Sequence, residues 1–259
     1  SGVITLIAQS TGDTNYYGVS TTLAVTIGRS TPSISLTSTT AMNTMNVGAT
    51  LRITSTSIPT PPAGTVPSTG VVAFTIVSGG GSATINSSTG LLTALSSGQV
   101  IVQAIQGGDV NYYASTQGSL TVTIGAGVQV LSLTSSVGNY VTVVGGSLTV
   151  SGSSNVVGGG AITYGLSSIG SGSATINSVT GFIVGNTAGS VLLTAYTAGN
   201  ANYQAGSITQ VVTINKASQT LNIVLSSTVL VGSSLTFTAT SNAPVGQGGA
   251  IIYSVLSGS

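Results

Sequence analysis

One stretch of this chain occurs three times, and its spacing is the feature that most restricts the fold. It reads GQVIVQAIQGGDVNYYASTQGSLTVTIG over residues 98–125, and related versions occupy residues 2–28 and 189–215. The copies are 96 and 91 residues apart (108 − 12 and 199 − 108), measured between their central glycines Gly12, Gly108 and Gly199. A period this long is typical of whole domains in tandem, since solenoid units have roughly 20–45 residues.

The repeat predicts where the domains begin and end. Residues 29–125 and 126–215 are expected to be two complete domains. Residues 1–28 are expected to be the C-terminal part of a truncated repeat, and residues 216–259 the N-terminal part of a further one. Because both ends cut a repeat, we expect the chain to be a window on a longer repetitive polypeptide.

Each complete segment is expected to contain short strands separated by turns. In the first, the alternation of apolar with Ser and Thr residues predicts strands at 33–38, 51–57, 71–77, 83–86, 91–94, 100–106 and 119–124. The last segment adds a predicted strand around residues 251–256. No stretch has the apolar period of a helix. The predicted fold class is therefore all-β, with tandem immunoglobulin-like β-sandwich domains of about seven strands each in Greek-key order.

Charged residues make up only 2% of the chain, against roughly a quarter in an ordinary soluble domain. A net charge of +1 leaves no basic cluster for a nucleic acid or an anionic membrane. No apolar run reaches the roughly 18 residues that a spanning helix needs. We therefore expect no nucleic-acid partner and no membrane insertion of this segment.

The same inventory argues against catalysis and metal binding. The chain has no His, Glu or Cys, and its two carboxylates, Asp13 and Asp109, occupy equivalent positions in different repeats. General acid–base catalysis needs His or paired carboxylates, and a calcium site needs several carboxylate oxygens. We predict that the chain is not an enzyme and has no catalytic residue, cofactor or metal.

The motif Gly-Asp/Asn-x-Asn-Tyr lies between two strands in every copy. Asp and Asn favour such turns because their side chains bond the nearby backbone. We predict a structural corner, locked by a tyrosine hydroxyl, that consists of Gly12, Asn15, Tyr16, Gly108, Asn111, Tyr112, Gly199, Asn202 and Tyr203. The alternative is an aromatic platform for carbohydrate, which the doubled tyrosines Tyr17 and Tyr113 would extend.

One strand of each copy indicates an inward and an outward face. Val100, Val102 and Ala104 alternate along it and are expected to face the core. The outward face is also partly apolar, and the candidate self-association residues on it are Ile7, Ile101, Ile105, Leu192 and Tyr196. Scattered surface apolar residues are common, but a face without charges also lacks the usual deterrent to association.

The run from Gly199 to Tyr203, the strand after it and the following Asn-Lys-Ala-Ser-Gln-Thr resemble the bacterial Ig-like (Big-type) repeats of very large surface proteins. GSATINSSTG, at residues 81–90, is similar to the group 2 bacterial Ig-like pattern of intimin and invasin type adhesins. The resemblance covers nearly the whole chain. It implies tandem Ig-like domains of a stalk or adhesin, and an extracellular or cell-surface location.

Two functions follow as hypotheses. The first is a structural segment of a long extracellular fibre, stalk or self-associating filament, with neighbouring repeats and other copies of itself as partners. The second is a cell-surface adhesin that binds a glycan or a host or surface ligand through loops at the sandwich ends. Its best candidate loop is the proline-rich segment 58–70.

Overall fold

The structure is a computed structural model that describes residues 1–58, 67–224 and 228–257, and the regular structure in these ranges is β-strand alone. Most of the predicted loop 58–70 lies outside the described residues. Contacts group the chain into two compact units. The first contains Ser1–Leu131, Ser154–Ala161 and Tyr196–Ser207, and the second contains Ser132–Ser153, Ile162–Ala195 and Ile208–Ser259.

The chain begins with a long antiparallel pair, β1 (Gly2–Gly12) and β2 (Tyr17–Ile27). Residues 29–125 follow with eight strands in the described ranges. They are β3 (Ser33–Ser38), β4 (Thr44–Asn46), β5 (Thr50–Ile58), β6 (Val72–Gly79), β7 (Ser82–Ile85), β8 (Leu91–Ser96), β9 (Gly98–Gln106) and β10 (Gly118–Gly125). They form two four-stranded sheets, ordered β3-β5-β8-β7 and β4-β10-β9-β6.

Residues 126–215 repeat this order. Their strands are β11 (Leu131–Ser135), β12 (Val141–Val143), β13 (Ser147–Ser154), β14 (Ile162–Ser168), β15 (Ser173–Ile176), β16 (Phe182–Thr187), β17 (Gly189–Thr197) and β18 (Gly206–Asn215). The sheets are β11-β13-β16-β15 and β12-β18-β17-β14, the same arrangement strand for strand. The fold is therefore all-β, with tandem immunoglobulin-like sandwiches, as the sequence predicts.

Each sandwich has its own apolar core between the two sheets. In the first, Leu51 and Ile53 of β5 meet Val100, Val102 and Ala104 of β9, all at most 3% exposed. The second core contains the equivalent residues Leu148, Val150, Val191 and Leu193. This confirms the predicted inward face for β9 and β17, since alternate residues of a strand share one face. The equivalent residues of β1, Ile4, Leu6 and Ala8, were also expected to face a core, and they are exposed.

The sequence did not predict β4 and β12. Each has only three residues and pairs in parallel with the last strand of its repeat, β4 with β10 and β12 with β18. A three-residue strand is too short to show an alternation of apolar and polar residues. Its one inward side chain, Met45 in β4, nevertheless belongs to the core.

The last segment contains β19 (Leu221–Val224) and β20 (Thr238–Ser241), which pair antiparallel. The expected strand at residues 251–256 is not formed. In the complete repeats its counterparts β6 and β14 hydrogen-bond to β9 and β17, respectively. Among the described residues, 251–256 pair with no strand of this kind.

Candidate functional site

The candidate site is the corner, which we define as residues 12–16, 108–112 and 199–203. In each copy the Oδ1 atom of the Asp or Asn accepts the backbone N–H groups two and three residues later, at 2.8–3.0 Å. The N–H of that same residue donates to the carbonyl of the corner tyrosine, at 2.8–2.9 Å. The turn needs only a side-chain acceptor oxygen, so it forms equally well with Asp13, Asp109 or Asn200.

Each of the two later corners also bonds to the second residue of its repeat. Gly127 donates its N–H to the Asn202 carbonyl at 2.8 Å, and the Gly127 carbonyl accepts the Gln204 N–H at 2.9 Å. Ser30 makes the same pair of bonds with Asn111 and Tyr113, at 3.2 and 2.8 Å. The corner is thus tied to the connection between two repeats.

The asparagine side chain of the corner reaches back into the preceding repeat. Asn202 Oδ1 accepts the backbone N–H of Ser97 at 2.9 Å, in the turn between β8 and β9. Asn111 Oδ1 accepts the N-terminal amine of Ser1 at 2.5 Å, and Ser1 is the equivalent of Ser97, 96 residues earlier. The same bond therefore occurs in both connections that the first compact unit contains.

The ring of Tyr203 also contacts the preceding repeat. It is half-buried and packs against the core of residues 29–125. A Cβ built on Gly127 would lie 2.7 Å from the Val47 carbonyl oxygen and 3.4 Å from the Tyr203 ring, so the three residues meet closely. We call this set of contacts between corner, connection and preceding repeat the joint.

The other polar side-chain atom of the corner Asp or Asn hydrogen-bonds to a neighbouring loop. Whether this atom accepts or donates depends on what the loop offers. Asp109 Oδ2 accepts the Thr69 N–H at 2.7 Å and hydroxyls of Ser68 and Thr69 at 3.2 Å. Asn200 Nδ2 instead donates to the Gly158 carbonyl. A loop that offers donors is met by a carboxylate, and a loop that offers a carbonyl is met by an amide.

These bonds set the acidity of Asp109. The backbone N–H of Thr69, followed by that of Asn111, lowers the pKa of its carboxyl from the ordinary 3.8 to about 2, against a smaller opposing effect of desolvation. Bonds from the Tyr112 N–H and the Ser68 hydroxyl add to the lowering. The cause is that every one of these donors favours the ionised form.

In each sandwich a buried glutamine hydrogen-bonds to a loop near the corner, but the two glutamines come from different parts of their repeats. Gln106 of β9 donates to the Ser68 and Gly70 carbonyls at 3.3 and 3.0 Å. Gln129, just before β11, donates to the Gly159 and Gln204 carbonyls at 2.9 and 2.6 Å. Both side chains are only 5% exposed. The sequence does not reveal this exchange, because the two glutamines are not at equivalent positions.

That a tyrosine hydroxyl locks the corner stays a prediction. Tyrosine hydroxyls do accept backbone N–H groups at another position of the repeat. Tyr164 accepts the Gly152 N–H at 2.7 Å, and the equivalent Tyr253 accepts the Ala239 N–H at 3.1 Å. In the first complete repeat the same position is Phe74. Sequence reasoning missed this role, although the recurrence of tyrosine at a strand position was a usable signal.

The outward-facing residues of the repeated strand differ in exposure. Ile7, Ile105 and Tyr196 are 61%, 44% and 46% exposed, whereas Ile101 and Leu192 are half-buried. The corner tyrosine of the first copy, Tyr16, is 77% exposed. Beside the second corner, the Arg29 guanidinium lies 5.2 Å from the centre of the Tyr113 ring.

The described ranges contain no group of three or more His, Cys, Asp or Glu residues that could hold a metal ion. No helix in them is long and apolar enough to cross a membrane. The second unit contains a cavity of about 750 Å³ lined by Val144, Gly145 and residues 216–219, 242–244 and 247–249.

No protein-family model and no curated protein matches the chain. Solved structures similar to it include three domains of Drosophila N-cadherin (12% identity, 79% of this chain and 75% of that chain, TM-score 0.26). The D00-D0 domain of intimin is 16% identical over 70% of this chain and 98% of that chain, with a TM-score of 0.30. Domains 1–6 of the surface layer protein SbsC are 13% identical over 93% of this chain and 44% of that chain, also with a TM-score of 0.30.

Proposed function

We propose that this chain is a structural segment of a long extracellular fibre, stalk or self-associating filament, built from bacterial Ig-like repeats of the Big type. Its role is mechanical: each sandwich supplies a rigid length, and the joints hold successive sandwiches in a fixed orientation. The segments 1–28, 29–125, 126–215 and 216–259 are the repeat units of this proposal. The observation that carries it is the recurrence of the joint.

The joint supports a stiff connection because the corner contacts both the start of its own repeat and the repeat before it. Two backbone hydrogen bonds hold the corner to Gly127, at the start of its own repeat, and the Ser97 N–H, which donates to Asn202 Oδ1, connects the corner to the preceding repeat. The Tyr203 ring adds apolar contact with the preceding core. Bending at this joint would break the hydrogen bond to Ser97 and the contact of Tyr203 together, and such a hydrogen bond contributes about 0.5–1.5 kcal/mol.

The low charge supports a joint that is independent of ions. All the bonds between Asn202, Gly127 and Ser97 connect neutral groups. Salt screens interactions between charges and has little effect on neutral hydrogen bonds or apolar contacts. Neither the stiffness nor the assembly of the fibre should therefore depend on ionic strength or on calcium.

Lateral association of copies would use the outward face of β9 and β17. Its most exposed apolar side chains in the complete repeats are Ile105 and Tyr196. Burial of apolar surface contributes about 25 cal/mol per Å², and the face carries no charge that would oppose contact with another copy. Other copies of this chain are therefore the proposed partners.

Electron microscopy of the purified chain at low and high NaCl, with and without a calcium chelator, tests the proposal. We expect rods or filaments under all four conditions. Dispersed, irregularly bent chains would contradict a structural role. Binding to a glycan array by such dispersed chains, lost when loop 58–70 is replaced, would favour the adhesin hypothesis instead.

A pair of variants tests the outward face. Tyr196→Lys places a charge on this face and should reduce lateral association, which light scattering would measure. The matched control is Thr175→Lys, since Thr175 is an exposed residue of β15 in the other sheet. Equal effects of the two substitutions would argue that net charge, rather than this face, controls association.

A further inference from the structure

We propose that Asn86 is an N-glycosylation site, at which the side-chain amide nitrogen accepts a glycan from a glycosyl diphosphate donor. Asn86-Ser87-Ser88 is the only Asn-x-Ser/Thr sequence in the 259 residues, and this pattern is the one that N-glycosylation requires. The inference rests on the extracellular location that the proposed function implies, because N-linked glycans are carried by surface loops of secreted proteins. It does not depend on self-association.

Asn86 begins the turn between β7 and β8, and backbone hydrogen bonds fix the shape of this turn. The Gly90 N–H donates to the Asn86 carbonyl, and the Asn86 N–H donates to the Leu91 carbonyl, both at 2.9 Å. The Ser87 carbonyl accepts the Phe74 N–H, also at 2.9 Å, which ties the turn to β6. A transferase acting on the folded chain would therefore meet this turn in one defined conformation.

The side chains that a transferase would have to reach in this turn are exposed. Residues 86–89 are all exposed, including Asn86 and the hydroxyl residue Ser88. The residue equivalent to Ser88 in the second complete repeat is Val179, and it is 75% exposed. The side chain at this position therefore points away from the sandwich in both repeats, and in the first repeat it presents a hydroxyl group.

The turn orients the amide of Asn86 so that its oxygen is bonded and its nitrogen is open. Asn86 Oδ1 accepts the N–H groups of Ser88 and Thr89 at 3.0 and 2.9 Å. Within the described ranges, no group accepts a hydrogen bond from Nδ2. When Nδ2 loses a proton, negative charge develops on Oδ1, where two donors already stabilise it. The turn thus favours the reaction as well as access to it.

The transfer joins Asn86 Nδ2 to the anomeric carbon of the sugar. As this bond forms, the bond from the anomeric carbon to the diphosphate oxygen breaks, and the diphosphate leaves with the electron pair. Nδ2 gives up one proton to a base of the transferase, since this chain has no His or Glu. The diphosphate is carried by a polyprenol or by a nucleoside, and the reaction at Nδ2 is the same with either carrier.

The second complete repeat contains the same turn without the acceptor sequence. Asn177 is exposed, and its Oδ1 accepts the N–H groups of Val179 and Thr180 at 3.0 and 2.9 Å. The Gly181 N–H donates to the Asn177 carbonyl at 2.9 Å, as in the first repeat. The turns read NSSTG and NSVTG, so they differ only where Val179 replaces serine. We therefore expect Asn177 to remain unmodified.

Peptide mass spectrometry of the chain, purified from the organism that makes it, tests the site. We expect a glycan on Asn86 and none on Asn177. Ser88→Val should abolish the modification of Asn86, and Val179→Ser should create one at Asn177. Each substitution introduces the residue that the other repeat has at the same place, so both variants should fold. An unmodified Asn86, or a glycan on Asn86 that persists in Ser88→Val, would overturn the proposal.

Two reactions with the purified, folded chain identify the carrier of the glycan. One uses a polyprenyl diphosphate glycan and an oligosaccharyltransferase, and the other uses a nucleoside diphosphate sugar and a soluble N-glycosyltransferase. A mass increase of one glycan in either reaction, lost in Ser88→Val, supports the proposal, and no increase in both reactions would overturn it. Filaments of a chain with an unmodified Asn86 would refute only the glycan site, whereas dispersed, bent chains that carry the glycan would contradict only the fibre.

Discussion

Replacing Gly181 by alanine should destabilise the second sandwich far more than the same change at Gly138. Both glycines have left-handed backbones, with φ of +71° and +73°, and both lie in the second unit. A Cβ on Gly181 would lie 2.2 Å from the Val150 carbonyl oxygen, whereas a Cβ on Gly138 would have nothing within 4 Å. Comparing the two alanine variants therefore separates the cost of the left-handed backbone, which both share, from the cost of the contact with Val150, which only Gly181→Ala has.

The magnitude follows from two contributions. The left-handed conformation costs an alanine about 1–2 kcal/mol, partly offset by about 0.4–1 kcal/mol from the stiffer unfolded chain, and both variants share this net cost. At Gly181 the neighbouring strand must also move by about 1 Å to reach ordinary contact distance. That movement strains the bonds from Val150 to Gly181 (3.0 Å) and from Gly181 to Asn177 (2.9 Å). Each of these two hydrogen bonds contributes about 1 kcal/mol. Gly181→Ala should therefore lower the free energy of unfolding by about 3 kcal/mol, against about 1 kcal/mol for Gly138→Ala.

Urea denaturation followed by tyrosine fluorescence would measure the difference, since Tyr140 and Tyr164 pack against the affected core. Hydrogen exchange of amides in β13 and β16 would assign the change to this sandwich and not to its neighbour. Equal losses in the two variants would refute the argument that the approach to Val150, rather than the backbone angle, makes glycine necessary.

Three further predictions concern hydrogen bonds described above. Asn200→Asp should lower the stability at neutral pH, because it sets a carboxylate against the Gly158 carbonyl, and acidification should restore part of the loss in a urea titration. Tyr164→Phe should cost about 1 kcal/mol, since the half-buried Gly152 N–H loses its acceptor, and thermal unfolding would measure it. The contribution of Asp109 should be fully present above pH 3.8 and be lost as the pH falls through about 2, because its folded pKa is depressed; Asp109→Asn should abolish this step.

The sequence was most informative where the physical signal is local. The alternation in β9 predicted its buried face, and the Asx residues predicted the turn of the corner. The joint was not predictable in the same way, because its partners at Ser97 and Gly127 contribute only backbone groups, which leave no side-chain signature. The outer strand β4 was too short to show a period, and its pairing with β10 depends on residues far along the chain.

The pairing of Asp109 with donors and of Asn200 with a carbonyl has a consequence for folding. Tandem domains of closely similar backbone can exchange elements while they fold, which is a known failure of repeat proteins. If the two corners were exchanged, the Asp109 carboxylate would face the Gly158 carbonyl, and the Asn200 amide would face the Thr69 N–H. Like groups would then oppose each other in both sandwiches. The difference between Asp109 Oδ2 and Asn200 Nδ2 thus favours pairing of each corner with the loop of its own sandwich, although the two sandwiches share one architecture.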